Sequence, residues 1–72
     1  MRAEEAVTHV VTHSGKTGAD VSREMGRVST FVATTIGRGT IPKLDTFARI
    51  AGVCGYEVVL KGHGEEVVVE YD

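Results

Sequence analysis

Apolar residues change their spacing once along the chain. Up to Gly55 they recur every three or four positions, the period of a helix face, and beyond it they alternate, the period of a strand. Ala3, Ala6, Val7, Val10 and Val11 mark the inner face of a first helix ending near His13-Ser14-Gly15. Thr17 stands as an N-cap, and Asp20 at the third helical position completes a variant of the capping box. Val21 and Met25 lie one turn apart on a short second helix that Gly26 stops. Ser29 is the expected N-cap of a third helix. Its inner face is Val28, Val32, Thr35 and Ile36, and its terminator is Gly37-Arg38-Gly39. Pro42 is expected to open a fourth helix with Leu44, Phe47, Ala48, Ala51 and Cys54 as its buried stripe.

After Gly55, Tyr56, Val58 and Leu60 alternate with Glu57, Val59 and Lys61, and Val67, Val69 and Tyr71 alternate with Glu66, Val68 and Glu70. Gly62-His63-Gly64 lies between and supplies the turn. Cross-strand partners share a face, so the loop holds an even number of residues. A four-residue loop from Gly62 to Glu65 pairs Leu60 with Val67, Val58 with Val69 and Tyr56 with Tyr71. On the other face it pairs Lys61 with Glu66 and Val59 with Val68, and sets Glu57 opposite Glu70. The expected fold is therefore mainly α, a small bundle of about four helices over residues 1–55 followed by a β-hairpin over 56–72.

With 72 residues the chain has room for one small domain and a thin core. A lone cysteine excludes an internal disulfide and suits a reducing compartment. No apolar run approaches the length of a membrane span. No basic segment leads into an apolar one near Met1, so no signal peptide is expected and the chain is placed in the cytoplasm.

Charge divides along the chain as sharply as hydropathy does. From Lys16 to Arg49, the bases Lys16, Arg23, Arg27, Arg38, Lys43 and Arg49 face the acids Asp20, Glu24 and Asp45, leaving +3. Elsewhere Arg2 and Lys61 face Glu4, Glu5, Glu57, Glu65, Glu66, Glu70 and Asp72, leaving −5. A basic middle beside an acidic tail suggests a surface for a polyanion.

The stretch TGADVSREMGRVSTFVATTIGRG, from Thr17 to Gly39, resembles the helix-turn-helix of phage Cro/CI-type repressors, the XRE family. PKLDTFARIA from Pro42 resembles the helix that follows that motif, and CGYEVVL from Cys54 resembles the run into a C-terminal strand in some short members. The resemblance covers roughly residues 5–60. It departs from the family pattern in carrying Ile36 and Gly37 where a glutamate is usual, with one extra residue near the recognition helix. It implies a lambda-repressor-like bundle that binds double-stranded DNA as a transcriptional regulator, a dimeric repressor of phage or prokaryotic type.

In a helix-turn-helix the second helix enters the major groove, its N-terminal residues meeting base edges. Ser29, Thr30 and Thr34 are then candidate contacts, through hydroxyls or through threonine methyl groups on thymine. Phe31 either packs under the turn or reaches a thymine methyl. Thr17, by family position, caps the second helix and offers a nearby amide to phosphate. Arg27, Arg38 and Lys43 flank the recognition helix, where phosphate contact is natural. The plainer readings are an N-cap for Ser29, surface threonines, and solvated charges.

Other motifs lead nowhere. Gly15-Lys16-Thr17 resembles the end of a P-loop, but Val10 stands where the first glycine belongs, and the preceding segment reads as helix. His9 and His13 have a metal-gripping spacing without an evident third ligand. Cys54 falls on an apolar stripe. No nucleophile–base arrangement stands out, so neither catalysis, nor a metal, nor a cofactor is expected.

Two classes of function remain: a dimeric DNA-binding regulator, or a protein-interaction module or toxin-binding antitoxin that keeps the fold with weak or no DNA binding. The basic middle favours the first. The second is favoured by a recognition surface bare of Arg, Gln and Asn, with the acidic hairpin as its partner site. A two-stranded hairpin is marginal alone, and this one carries valines on both faces. A symmetric homodimer built on Tyr56, Val58, Val59, Val67, Val68, Val69 and Tyr71 is therefore expected, with the acidic tail turned away from DNA.

Overall fold

The computed structural model describes residues 1–71, and Asp72 lies outside the described residues. Four helices and one antiparallel hairpin follow in order: α1 (Ala3–Ser14), α2 (Gly18–Glu24), α3 (Phe31–Gly37), α4 (Leu44–Val53), β1 (Val58–Gly62) and β2 (Glu65–Val69). The fold is mainly α, as the change of period predicts. Helix α1 packs on α4, and α2 packs on both α3 and α4. Val7, Val10, Val11, Val21, Met25, Val32, Ile50 and Cys54 meet in one core, with Phe31, Phe47 and Val53 packed against its edge. The hairpin draws the molecule out to 39 × 23 × 21 Å.

Local signals set most of these boundaries. The Thr17 hydroxyl accepts the Asp20 amide at 3.0 Å, and the Asp20 carboxylate accepts the Thr17 amide at 3.5 Å, the reciprocal capping expected of this pair. Gly26 follows α2 in the left-handed region at φ 74° and turns the chain towards α3.

The helices depart from expectation at several points. Helix α3 begins at Phe31 with Thr30 as its N-cap residue, and Ser29 does not cap it. The Phe31 amide bonds the Val28 carbonyl at 3.0 Å, so a separate turn closes before the helix starts. Val28 thus lies outside α3, off its inner face, and is 72% exposed. Helix α4 begins at Leu44 and not at Pro42, because Lys43 is extended at ψ 156°. Leu44 therefore sits in an uncovered first turn, while Ile50 is fully buried because α4 is flanked by both α1 and α2.

The hairpin has the predicted register, Val58 with Val69, Val59 with Val68, Leu60 with Val67 and Lys61 with Glu66. Gly62 also pairs with Glu65, so the loop is two residues and not four. His63 and Gly64 fill it at φ 49° and 75°, both positive as a type I′ turn requires. The ladder stops at Val58 and Val69, short of the expected Tyr56–Tyr71 and Glu57–Glu70 pairs.

The two tyrosines reach the helices instead. Tyr56 sets its ring edge-on to His9 of α1, with centroids 6.2 Å apart. The hydroxyl end of Tyr71 lies against Gly52 of α4, where a Cβ would collide with it. The base of the hairpin is thereby seated on two helices. Among the described residues, no helix is long and apolar enough to cross a membrane.

Candidate nucleic-acid interface

Helices α2 and α3 are joined by a buried hydroxyl. Ser22 is fully buried. It donates to the Gly18 carbonyl at 2.7 Å and accepts the Val32 amide at 3.0 Å. Val32 is the second residue of α3, and its N–H has no partner within its own helix. Ser22 supplies one from ten residues upstream, fixing how α3 lies across α2. The sequence gives little sign of this, since a serine in mid-helix reads as a neutral surface position.

That seating presents one side of α3 to solvent. Thr30, Ala33 and Thr34 are exposed. Val28, Thr30, Phe31, Thr34, Thr35, Arg38 and Thr40 line one shallow depression along it. Phe31 is half-buried against the core, and the Arg27 guanidinium lies 4.7 Å above its ring centroid. The aromatic ring thus holds a cation at the entrance to α3. Arg38 follows the helix directly. Thr35 donates its hydroxyl to the Phe31 carbonyl at 2.9 Å.

The remaining candidates lie apart from this depression. Thr17 is exposed and engaged with Asp20. Ser29 is exposed in the turn before α3. Lys43 precedes α4, beside an apolar groove of Ala3, Ala6, Ile41, Pro42, Leu44 and Phe47. Arg38 and Lys43 carry no ion pair among the described residues, whereas Arg23 pairs with Asp20 at 3.3 Å.

Lys16 has a structural task that the P-loop likeness hides. Its ammonium bonds both Glu24 carboxylate oxygens, at 2.8 and 2.9 Å, and the Val53 carbonyl at 3.1 Å. It clamps the loop after α1 to the ends of α2 and α4. His9 and His13 stack with ring centroids 4.1 Å apart, and His13 Nδ1 lies 2.9 Å from the His9 carbonyl. Among the described residues no three His, Cys, Asp or Glu side chains gather. Burial pushes the Cys54 thiol above its ordinary value, opposed by the Ser14 hydroxyl and the Lys16 ammonium.

On the hairpin, Val59, Leu60, Val67 and Val68 are 42–57% exposed, on both faces. Val58 and Val69, nearest the helices, are half-buried. Glu70 does not stand clear of the basic middle: with Tyr71 it lines a second depression together with Arg27, Asp45 and Arg49.

No family model matches the chain, and none of the curated proteins or solved structures compared with it does.

Proposed function

We propose that the protein is a sequence-specific, double-stranded-DNA-binding regulator of the Cro/CI-type, acting as a homodimer in the cytoplasm of a phage-bearing or prokaryotic cell. One observation carries this reading. Two short helices are locked by the Ser22–Val32 hydrogen bond so that α3 turns Thr30, Ala33 and Thr34 outward between Arg27 and Arg38. An outward second helix flanked by cations suits a major groove with phosphates on either side. The local charge of +3 between Lys16 and Arg49 supports it.

The dimer rests on the hairpin. Four aliphatic side chains exposed on a two-stranded ribbon gain nothing in a monomer. A second hairpin would cover one face, and a two-fold pair would present two α3 helices to half-sites about one DNA turn apart.

A gel shift with duplex DNA from upstream of the protein's own gene tests the reading, repeated over a salt series with Lys43→Ala and Arg38→Ala. Each variant should weaken binding to all sequences and lower the salt slope by about one. Absence of any shift would leave the fold as a protein-interaction module and refute the proposal.

A further inference from the structure

The outward side of α3 carries methyl groups and hydroxyls and no charge. Val28 stands 72% exposed in the turn leading into the helix, sharing a depression with Thr30, Thr34 and Arg38. From Phe31 to Gly37, α3 carries no charged or amide side chain. The whole chain contains neither asparagine nor glutamine. The two-pronged amide grip on adenine is therefore absent from this protein, and the guanidinium grip on guanine is confined to the ends of the helix. At its near end, Arg27 lies over the Phe31 ring. Of the features that base edges show in the major groove, the thymine 5-methyl is the apolar one. It matches what this surface offers.

We propose that the interface reads DNA through thymine 5-methyl groups, contacted by Val28 and by the methyl groups of Thr30 and Thr34. The proposal rests on the DNA-binding reading above and names what that interface recognises, half-sites with thymines at fixed positions. Each methyl group withdrawn from water on contact contributes about fourfold in affinity. Sequence preference then arises from several small apolar steps in place of one strong hydrogen-bonded pair.

The test uses duplexes that the protein itself selects from a randomised pool. They are resynthesised with deoxyuridine in place of thymidine, one position at a time, which keeps the base pairing and removes only the methyl. Binding is followed by fluorescence anisotropy at fixed salt. At two or more positions in each half-site, substitution should weaken binding about fourfold. Thr34→Ser keeps the hydroxyl and loses the methyl, and Val28→Ala shortens the other contact. Each should abolish the uracil penalty at one position and leave it at the rest. That coupling separates contact from any change of duplex shape. Both positions are exposed, and an unchanged circular dichroism spectrum shows that the variants fold. If every uracil duplex binds as tightly as its thymine parent, or the penalties persist in both variants, methyl readout is overturned while DNA binding stands. If no duplex is selected from the pool, the DNA-binding reading fails, and this inference fails with it.

Discussion

Replacing Ser22 with alanine removes one oxygen atom and tests what holds α2 and α3 together. The side chain is fully buried, and its hydroxyl is the acceptor for the Val32 amide at 3.0 Å. Val32 is fully buried too, so no water stands ready to replace that acceptor. An orphaned buried donor costs about 1–3 kcal/mol. The second bond, to the Gly18 carbonyl at 2.7 Å, matters less, because a serine bonding back along its own helix is close to neutral. Ser22→Ala should therefore destabilise the fold by about 2 kcal/mol and lower Tm by about 10 °C in a domain of this size. Ser29→Ala, exposed in the turn before α3, is the control and should stay within about 0.5 kcal/mol of the parent. Urea and thermal unfolding followed by far-UV circular dichroism at one protein concentration measure both. Equal midpoints for the two variants would refute the reasoning and reduce the Ser22 bond to incidental geometry.

Three further perturbations probe other parts of the molecule. Val68→Lys should turn a species of twice 7.7 kDa in sedimentation equilibrium into a monomer without unfolding it, because Val68 is 46% exposed within one chain; a variant that still dimerises removes this face from the seam. Gly52→Ala should gain less than the usual 0.5–1 kcal/mol for a helix interior (about that range), since the new Cβ displaces Tyr71, and adding Tyr71→Ala should restore the gain in urea unfolding. Cys54 is buried with its thiol raised, so its contribution is fully present below the ordinary value of 9.0 and is lost as pH rises through the folded value. Urea midpoints should fall over that alkaline range in the parent and fall less in Cys54→Val.

The sequence carries the elements and the strand register plainly, because both follow from local chemistry. The Thr17–Asp20 capping pair is a contact between near neighbours. The alternation of Val58, Leu60, Val67 and Val69 admits only pairings that keep like faces together, and the glycine turn at 62–64 picks the observed one among them. Features that depend on a third element are hidden. Ile50 breaks the apparent stripe of α4 because the helix is covered from two sides. Val28 fits a helical spacing, yet a turn closed by the Phe31 amide excludes it from the helix. Ser22 is invisible for the same reason, since its importance comes from an amide ten residues away. At the candidate interface, the cations and threonines are evident as residue types. The stacking of Arg27 on Phe31, and the removal of Lys16 from any ligand role, need the packed chain.

The hairpin shows why that distinction matters for the proposed assembly. Were it a freely swinging arm, a dimer formed through Val59 and Val68 would leave the two α3 helices at no fixed separation, and half-site spacing would carry no information. Its base is not free. Tyr56 rests edge-on against His9 of α1, and Tyr71 fills the space over Gly52 of α4, so both strands leave the helical body at positions set by those helices. Gly52 is the one place on α4 where the absent side chain admits the tyrosine ring end. The same seating brings Glu70 into the depression lined by Arg27. A carboxylate there offsets part of the attraction that Arg27 offers a phosphate, less so as salt screens both. Under the proposed DNA-binding reading, the seating that would fix the spacing of the two α3 helices would also limit the non-specific share of binding, leaving more of the discrimination to the surface of α3.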